Sequence, residues 1–202
     1  MRIVFATANT GKLREAAEVL GPDYEVVTPA SLGITEDIPE TGSTLQENSL
    51  QKALYLFERT GLPCFADDTG LEVDALNGAP GIYSARYAGP GHDSNANMDK
   101  LLAELEIRRS ESANDEKESR RARFHTVVTL ILTDGQPRFF EGVCEGAIAR
   151  EKHGSGGFGY DPVFLPDAYP GRTLAEVSEE EKNAVSHRGK ALRLTADWLK
   201  SL

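Results

Sequence analysis

Apolar residues recur along this chain with two spacings, one typical of buried strands and one typical of helices that cover a sheet. Short apolar runs predict strands at Ile3–Ala6, Tyr24–Val27 and Pro63–Ala66. Apolar positions three and four residues apart predict helices at Leu13–Leu20 and from Thr44 to about Arg59. Because strands and helices alternate, the amino-terminal part has the pattern of an α/β fold.

The carboxyl-terminal part adds a hairpin pattern and an amphipathic helix. Two long strands are predicted at Phe124–Leu132 and Arg138–Ile148, with turn residues between them. A helix is predicted at Lys190–Leu202, and one of its faces should pack on the sheet. That face consists of Leu192, Thr195, Trp198, Leu199 and Leu202. The predicted fold class is α/β, with a mixed central β-sheet flanked by helices.

The segment between these two parts carries mostly charged and small residues. A helix is predicted at Asn97–Leu105, and residues 106–123 then mix acidic and basic side chains. Such a composition is typical of a flexible, solvated loop. The length of 202 residues fits one large domain, so residues 1–202 are interpreted as a single domain.

The composition of the chain argues against several classes of partner. The formal net charge is -10 and the isoelectric point is about 4.9, which disfavours non-specific binding to nucleic acid or to an anionic membrane. Cys64 and Cys144 show neither a C-x-x-C pair nor zinc-ligand spacing, so we expect reduced, buried thiols. No apolar stretch suits a signal peptide or a membrane span, which predicts a cytoplasmic protein.

A glycine-rich loop near the carboxyl terminus has the spacing G-x-G-x-x-G at Gly154, Gly156 and Gly159. In dinucleotide-binding proteins a helix opens directly after this motif and meets pyrophosphate with free N–H groups. Pro162 disfavours a helix here, so we reject that interpretation. The glycines also permit a planar group to approach Phe158, which suits stacking on a nucleobase. The alternative is that Phe158 and Tyr160 are core aromatics.

The first predicted strand is followed by Thr7-Ala8-Asn9-Thr10-Gly11-Lys12, a run of small polar residues that ends in a cation. A strand that leads into a helix N-terminus offers backbone N–H groups and a positive dipole end to phosphate oxygens. The alternative is a tight turn in which Asn9 and Thr10 cap the helix. These residues alone leave both interpretations open.

Two adjacent carboxylates, Asp67 and Asp68, follow the predicted strand Pro63–Ala66. Carboxylate oxygens suit a hard divalent cation such as Mg²⁺. In a regular strand the two would face opposite ways, so both reach one site only if the chain turns at Thr69-Gly70. The alternative is an Asx-type turn with solvated acids.

A third acidic segment lies before and within the second predicted helix. Glu47, Asn48, Gln51 and Lys52 share one helix face by their spacing. Glu47 also has capping-box spacing from Thr44, and the alternative is that it serves only to start the helix. Glu40 lies in the preceding loop and has more freedom to reach a metal ion.

Taken in order, five segments of the chain resemble the inosine triphosphate pyrophosphatase family. They are ATANTGKLRE, ETGSTLQENSLQKA, FADDTGLEVDALNGAPGIYSARYAG, GGFGYDPVF and SHRGKAL. The blocks run nearly from end to end and are far more specific than one glycine spacing. The resemblance implies an elongated, two-lobed α/β subunit with an active-site cleft between the lobes, and a homodimer.

The resemblance also implies a reaction and the residues that perform it. In the family, water attacks the α-phosphate of ITP, dITP or XTP in a reaction that depends on Mg²⁺ and releases pyrophosphate. The reaction removes these nucleotides from the nucleotide pool. The implied metal-binding and catalytic acids are Asp67 and Asp68, with Asp68 as proton acceptor. Our own hypothesis is that Asp68 and Glu40 are the metal ligands. The implied substrate contacts are Thr7, Ala8, Asn9, Thr10, Gly11, Lys12, Lys52, Thr69, Phe158, Gly159, Tyr160, Asp161, Lys182, His187 and Arg188. Ala8 departs from the glycine of many relatives.

Base selection is expected to follow from hydrogen-bond polarity. A 6-keto purine offers an O6 acceptor and an N1–H donor, and adenine reverses both. Arg188 can only donate and suits O6, whereas Asp161 or a backbone carbonyl can accept from N1–H. Two alternatives stay open, a Maf-type enzyme that cleaves pyrimidine triphosphates and a nucleotide-sensing module without turnover.

Overall fold

The structure is a computed structural model that describes residues 1–111 and 120–202. Its strands are β1 (Arg2–Phe5), β2 (Glu25–Val27), β3 (Cys64–Val73), β4 (Pro80–Gly81), β5 (Arg121–Ile131), β6 (Pro137–Ile148) and β7 (Phe164–Pro166). Its α-helices are α1 (Thr10–Leu20), α2 (Leu45–Thr60), α3 (Ser94–Glu111), α4 (Glu179–Val185) and α5 (His187–Lys200). Every predicted strand and helix is present, although several of the boundaries differ.

The strands form a mixed sheet with the order β2-β1-β3-β5-β6-β7, and β4 pairs with β3 off this path. β1 is parallel to β2, with Ile3 opposite Val26, and parallel to β3, with Val4 opposite Cys64. β3 and β4 are antiparallel, as are β6 and β7. The predicted α/β class with a mixed sheet is therefore confirmed.

The chain divides into two compact units. Unit 1 contains Met1–Asp68, Thr126–Gly142 and His187–Leu202, and unit 2 contains Thr69–His125 and Val143–Ser186. Strands β3, β5 and β6 contribute residues to both units. The interpretation of residues 1–202 as a single domain stays a prediction.

In unit 1, helices cover both faces of the strands. The side chains of β1 alternate between these two faces, so each face has apolar residues to bury. Ile3 and Phe5 join Leu192 and Leu199 of α5 in one buried cluster. Val4, between them, points the opposite way and joins a second cluster that includes α2 residues. The predicted packing of the last helix on the sheet is confirmed. Leu202 does not belong to it, since the helix ends at Lys200 and Leu202 is 77% exposed.

Unit 2 has its own core, built from α3 and the unit 2 parts of the strands. Leu101 of α3 and Leu71 of β3 are fully buried in the same cluster as Phe124 and Phe164. The rings of Phe124 and Phe164 lie 4.6 Å apart between centroids in a tilted arrangement. Aromatic pairs with this geometry contribute about 0.5–1.5 kcal/mol beyond the area they bury.

The predicted loop at residues 106–123 is wrong at both ends. Helix α3 continues to Glu111, and β5 begins at Arg121. An exposed helix face needs no apolar residues, and Glu106 pairs with Arg109 at i, i+3 and 2.9 Å. Charged pairs likewise stabilise the start of β5, where Arg121 contacts Asp167 at 2.8 Å. Residues 112–119 lie outside the described part of the chain.

Short elements escaped the sequence analysis. β4, β7 and α4 are two to seven residues long, too short for a periodic pattern to stand out. α4 nevertheless has a full capping box between Ser178 and Glu181. Over residues 1–111 and 120–202, no helix has the length and apolar character needed to cross a membrane.

Candidate active site

The connection between β1 and α1 is a capped helix start. The Asn9 Oδ1 atom accepts hydrogen bonds from the N–H groups of Gly11 at 2.9 Å and Lys12 at 3.1 Å. The Asn9 N–H in turn donates to Thr7 Oγ1 at 3.1 Å. The capping alternative is thus confirmed for Asn9, while Thr10 is the first helical residue. Two amides of the predicted phosphate loop already have an acceptor, and their binding of phosphate stays a prediction.

Asp67 is enclosed by two cations of unit 1. Lys12 Nζ donates to both carboxylate oxygens, at 3.0 and 2.9 Å, and Arg188 Nε donates to Oδ2 at 2.9 Å. The Asp67 side chain is 1% exposed. Burial by itself would raise the pKa of Asp67, but Lys12 and Arg188 overcome it and hold that pKa well below its usual range. Asp67 therefore stays ionised and is a poor proton acceptor.

Asp68 has different partners from its neighbour. Its Oδ1 accepts from Lys52 Nζ at 3.2 Å, and its Oδ2 accepts from Asn48 Nδ2 at 3.2 Å. The side chain is 14% exposed. Burial raises the pKa of Asp68 above its ordinary value, and the nearby Glu40 raises it further against the opposing effect of Lys52. Asp68 is thus the better proton acceptor of the pair.

The chain does not turn at Thr69-Gly70, contrary to the condition set by the sequence analysis. β3 runs on to Val73 because Leu71 and Val73 are buried in the core of unit 2. Gly70 permits this course, since a Cβ there would lie 2.7 Å from the carbonyl oxygen of Gly81. The regular strand therefore sends Asp67 and Asp68 to separate sets of partners.

Glu40 and Asp68 converge on a single ammonium group. Lys52 Nζ lies 2.5 Å from Glu40 Oε1 and 3.2 Å from Asp68 Oδ1. Burial would lower the pKa of Lys52, but Asp68, Asp67 and Glu40 together raise it, so the ammonium stays charged. Mg²⁺ usually binds proteins through one or two carboxylates and keeps several of its waters. Glu40 and Asp68 supply two such carboxylates. Within the described residues, no group of three or more His, Cys, Asp or Glu side chains is arranged as a metal site.

The loop before α2 is held by the first turn of that helix. Thr44 is the N-cap and accepts from the N–H of Glu47 at 3.1 Å. The Glu47 carboxylate accepts from the N–H and the hydroxyl of Ser43, both at 2.7 Å. These contacts lower the pKa of Glu47. Glu47 therefore fixes the loop at the start of α2.

Arg188 is held by carboxylates of unit 1. Its side chain is 7% exposed, and besides Asp67 it contacts Glu15 Oε2 at 3.5 Å. Its donation to O6 of a purine stays a prediction. His187, its neighbour, is buried as well. The contact with Glu15 was missed, although Glu15 lies three residues after Lys12 on the same helix face.

The glycine loop of unit 2 presents one exposed aromatic ring. Phe158 is 58% exposed, and Lys182 Nζ lies 4.5 Å from the centroid of its ring. Asp161, which is buried, accepts from the N–H of Phe158 at 2.7 Å and pairs with Lys182 through the same Oδ2 atom. Gly157 allows this arrangement, because its φ is +71° and a Cβ there would collide with the Asp161 carboxylate. Asp161 thus orients Phe158 and Lys182.

Tyr160 belongs to the core of unit 2, and its expected contact with substrate stays a prediction. It is buried in the same cluster as Leu101, and its hydroxyl donates to the carbonyl of Ser84 at 2.8 Å. The core alternative is therefore right for Tyr160 and wrong for Phe158. Gly159 has a φ of +62°, which separates the two aromatics by a bend that glycine adopts readily. Thr69 lies in the unit 2 part of β3.

Comparison with known proteins places the chain in a family. A sequence model of the Ham1 family matches residues 3–198. The chain belongs to the Ham1 family. Among Ham1 relatives, a protein of Porphyromonas gingivalis named dITP/XTP pyrophosphatase is 50% identical over 198 residues, which cover 98% of this chain and 97% of the relative. A protein of the same name from Flavobacterium psychrophilum is 45% identical and covers 100% of both chains.

Solved Ham1 structures have the same fold. The Ham1 protein of Staphylococcus aureus is 40% identical, with a TM-score of 0.88 and coverage of 100% of this chain and 99% of that one. The Ham1 protein of Coxiella burnetii is also 40% identical, with a TM-score of 0.90 and full coverage of both chains. The resemblance noted in five sequence blocks is thereby confirmed at the level of the family.

Proposed function

We propose that this chain hydrolyses non-standard purine nucleoside triphosphates, namely dITP, ITP and XTP, to the nucleoside monophosphate and pyrophosphate. Full-length likeness to relatives named dITP/XTP pyrophosphatase supports this substrate class. The observation that carries the proposal is the pairing of Glu40 and Asp68 around Lys52, beside an Asp67 that is fixed by Lys12. Acids and cations in this arrangement suit phosphoryl transfer.

Asp68 accepts the proton of the attacking water in the proposed reaction. Its partial exposure leaves it open to water, and unlike Asp67 it is not enclosed by two cations. Asp67 remains ionised and holds the ammonium of Lys12 and the guanidinium of Arg188 in place. Lys12 and Lys52 contribute positive charge near the developing charge on the phosphate oxygens.

Mg²⁺ is the cofactor we propose, with Glu40 and Asp68 as its protein ligands. A bound ion would offset negative charge on the phosphates. Lys12, Lys52 and Arg188 are already paired with carboxylates, so a triphosphate needs an additional positive charge here. Removal of the metal with a chelator should therefore abolish hydrolysis.

Phe158 and Lys182 are the residues we propose for base recognition. The exposed ring supplies a stacking surface, and stacking on an aromatic residue contributes about 1–3 kcal/mol per base. The Lys182 ammonium can only donate, so it favours a keto oxygen over the 6-amino group of adenine. Donation from Arg188 to O6 also stays a proposal. We also retain as proposals the homodimer, which the family resemblance implies, and the cytoplasmic location, which the sequence predicts.

A steady-state panel of nucleotides tests the proposal. Release of pyrophosphate is measured with ITP, dITP and XTP, and with ATP, GTP, dTTP and UTP for comparison, each with Mg²⁺ and again with excess chelator. Phosphate is assayed with and without an added pyrophosphatase, which separates pyrophosphate release from stepwise phosphate release. The expected result is metal-dependent pyrophosphate release with the hypoxanthine and xanthine nucleotides.

Two results of the panel would contradict the proposal. Preference for dTTP or UTP would favour the Maf-type alternative. Tight binding of ITP without any hydrolysis in the presence of Mg²⁺ would favour a nucleotide sensor. Equal turnover of ITP and ATP would leave hydrolysis intact but refute the role given to Lys182.

A further inference from the structure

Asn48 connects two parts of unit 1 that carry the proposed metal ligands. Its Nδ2 donates to Asp68 Oδ2 at 3.2 Å, and its Oδ1 accepts from the N–H of Gly42 at 2.8 Å. Gly42 lies two residues after Glu40 in the same loop. The Asn48 side chain is buried, with 2% of the residue exposed, so water does not compete strongly for these contacts.

The contacts of Asn48 complete a closed ring of interactions. Asp68 binds Asn48 through one oxygen and Lys52 through the other. Lys52 binds Glu40, and the chain returns from Glu40 through Gly42 to Asn48. Neither carboxylate can therefore move without disturbing a hydrogen bond of the ring.

Gly42 fits this ring because it has no side chain. A Cβ at position 42 would lie 2.6 Å from Glu47 Cβ and 2.9 Å from Asn48 Oδ1. The loop can approach α2 closely enough to donate to Asn48 only with glycine at this position. The short turn Glu40-Thr41-Gly42 is thus held against α2 from both of its ends.

The Asn48 carboxamide has an acceptor oxygen and a donor nitrogen, and this determines which atom contacts which partner. The Gly42 N–H can only donate, so the carboxamide oxygen of Asn48 must face it, and the amino group must then face the acceptor Asp68. No other side chain of similar size supplies one donor and one acceptor in this geometry. Aspartate would keep the acceptor but lose the donor, and leucine would lose both.

We propose that Asn48 is a positioning residue that sets Asp68 and the Glu40 loop in the relative geometry needed to hold a divalent cation. This inference rests on the proposed function and extends it to a residue that touches neither the metal nor the nucleotide. Residues that orient metal ligands in this way typically change metal affinity or activity by about 10–100-fold when they are replaced.

Gln51 provides a matched control for Asn48. It lies on the same helix, and its carboxamide holds the neighbouring loop residue, with Oε1 accepting from the Thr41 N–H at 2.9 Å and Nε2 donating to Thr41 Oγ1 at 3.1 Å. Both side chains therefore fix the same loop, but the hydrogen bond to Asp68 belongs to Asn48. A purely structural role would make the two residues equivalent.

The test compares Asn48→Ala with Gln51→Ala in the full chain by two readouts. Binding of Mn²⁺ to nucleotide-free protein is followed by the electron paramagnetic resonance signal of the free ion, and kcat and KM are measured with ITP. For Asn48→Ala we expect Mn²⁺ affinity and kcat to fall by about 10–100-fold, with KM changed less than about threefold. Gln51→Ala should keep both quantities within about threefold of the wild type.

Equal behaviour of the two variants, or wild-type Mn²⁺ affinity in Asn48→Ala, overturns the inference. If Asn48→Ala does not fold, Asn48→Asp decides, because it has the same shape and keeps an acceptor for the Gly42 N–H. Its kcat at saturating Mg²⁺, per folded molecule, should fall at least about tenfold, and wild-type kcat refutes the role of the Asn48 donor. If the wild type hydrolyses no nucleotide, the proposed function fails, while Mn²⁺ binding still decides the role of Asn48.

Discussion

The pKa values of two adjacent aspartates in this chain are shifted in opposite directions, and their partners explain why. Asp67 is surrounded by Lys12 and Arg188, which favour its ionised form. Asp68 has one cation and one amide and lies near the carboxylate of Glu40, so its proton is held more tightly. This separation of pKa values is the usual way in which neighbouring carboxylates come to serve different roles.

Replacement of Asp67 should cost stability as well as activity. The change Asp67→Asn leaves Lys12 and Arg188 beside a neutral amide in a buried site. Breaking a buried ion pair in this way typically costs about 3–5 kcal/mol. Urea unfolding of the two proteins measures this loss. The control is Glu25→Gln, which removes an exposed pair with Arg2 and should leave the midpoint unchanged.

Replacement of Asp68 should instead affect turnover. Asp68→Asn keeps the size of the side chain but cannot accept a proton, so we expect kcat to fall by about 10²–10⁴-fold while substrate binding largely survives. Steady-state kinetics with ITP, together with nucleotide binding by calorimetry, separate these effects. Near-normal turnover of this variant would show that the proton acceptor is another group.

The thiols should be inert in the folded protein. Cys64 and Cys144 are both reduced and buried, and burial raises the pKa of Cys64 to about 12. A group with a raised pKa stays protonated until the pH approaches that value, so the reactive thiolate of Cys64 is scarce at pH 7–9. Titration with a thiol-specific disulfide reagent should detect no fast reaction in native protein and two thiols in denaturant. Rapid labelling of Cys64 at pH 8 would contradict its burial.

Individual side chains show which parts of the site could be predicted from the sequence and which could not. Asp67, Lys12 and Glu40 could be proposed from residue type and position, and the structure brings each to a charged partner. The partners of Arg188 could not be predicted, because Asp67 and Glu15 lie far away along the chain. The burial of Tyr160 also depends on long-range packing.

At the scale of elements, predictability followed the strength of the local pattern. β1, α2 and α5 have regular apolar periodicity, and their predicted and observed ranges nearly coincide. β3 was predicted to end at Ala66 because acids and a glycine follow, yet it continues to Val73. Tertiary burial of Leu71 and Val73 outweighed local propensity there.

The start of α1 offers a test that separates capping from phosphate binding. Asp is as good an N-cap as Asn, so Asn9→Asp should leave the thermal midpoint unchanged or slightly raised. Its added negative charge should repel a triphosphate and raise KM for ITP roughly tenfold, equivalent to about 1.4 kcal/mol. Asn9→Ala is the complementary control, with about 1 kcal/mol of lost stability. An unchanged KM in Asn9→Asp would remove this loop from the proposed phosphate site.

The whole molecule has a net charge of -10, which repels the proposed anionic substrate. A chain with this charge repels triphosphates unless local cations or a metal ion reverse the field. Unit 1 has Lys12 and Lys52 and unit 2 has Lys182, but each of these cations has a carboxylate partner. Dependence on a divalent metal ion is therefore expected, and the sequence already indicated it through its acidic segments.

The most direct test of the proposed chemistry follows the oxygen atom that water contributes. ITP is hydrolysed with Mg²⁺ in water enriched in oxygen-18. The products are then separated, and their masses are measured by mass spectrometry. Attack at the α-phosphorus places the label in inosine monophosphate and leaves pyrophosphate unlabelled, with equal amounts of the two products. Label in pyrophosphate, formation of inosine diphosphate, or undiminished hydrolysis in excess chelator would contradict the mechanism.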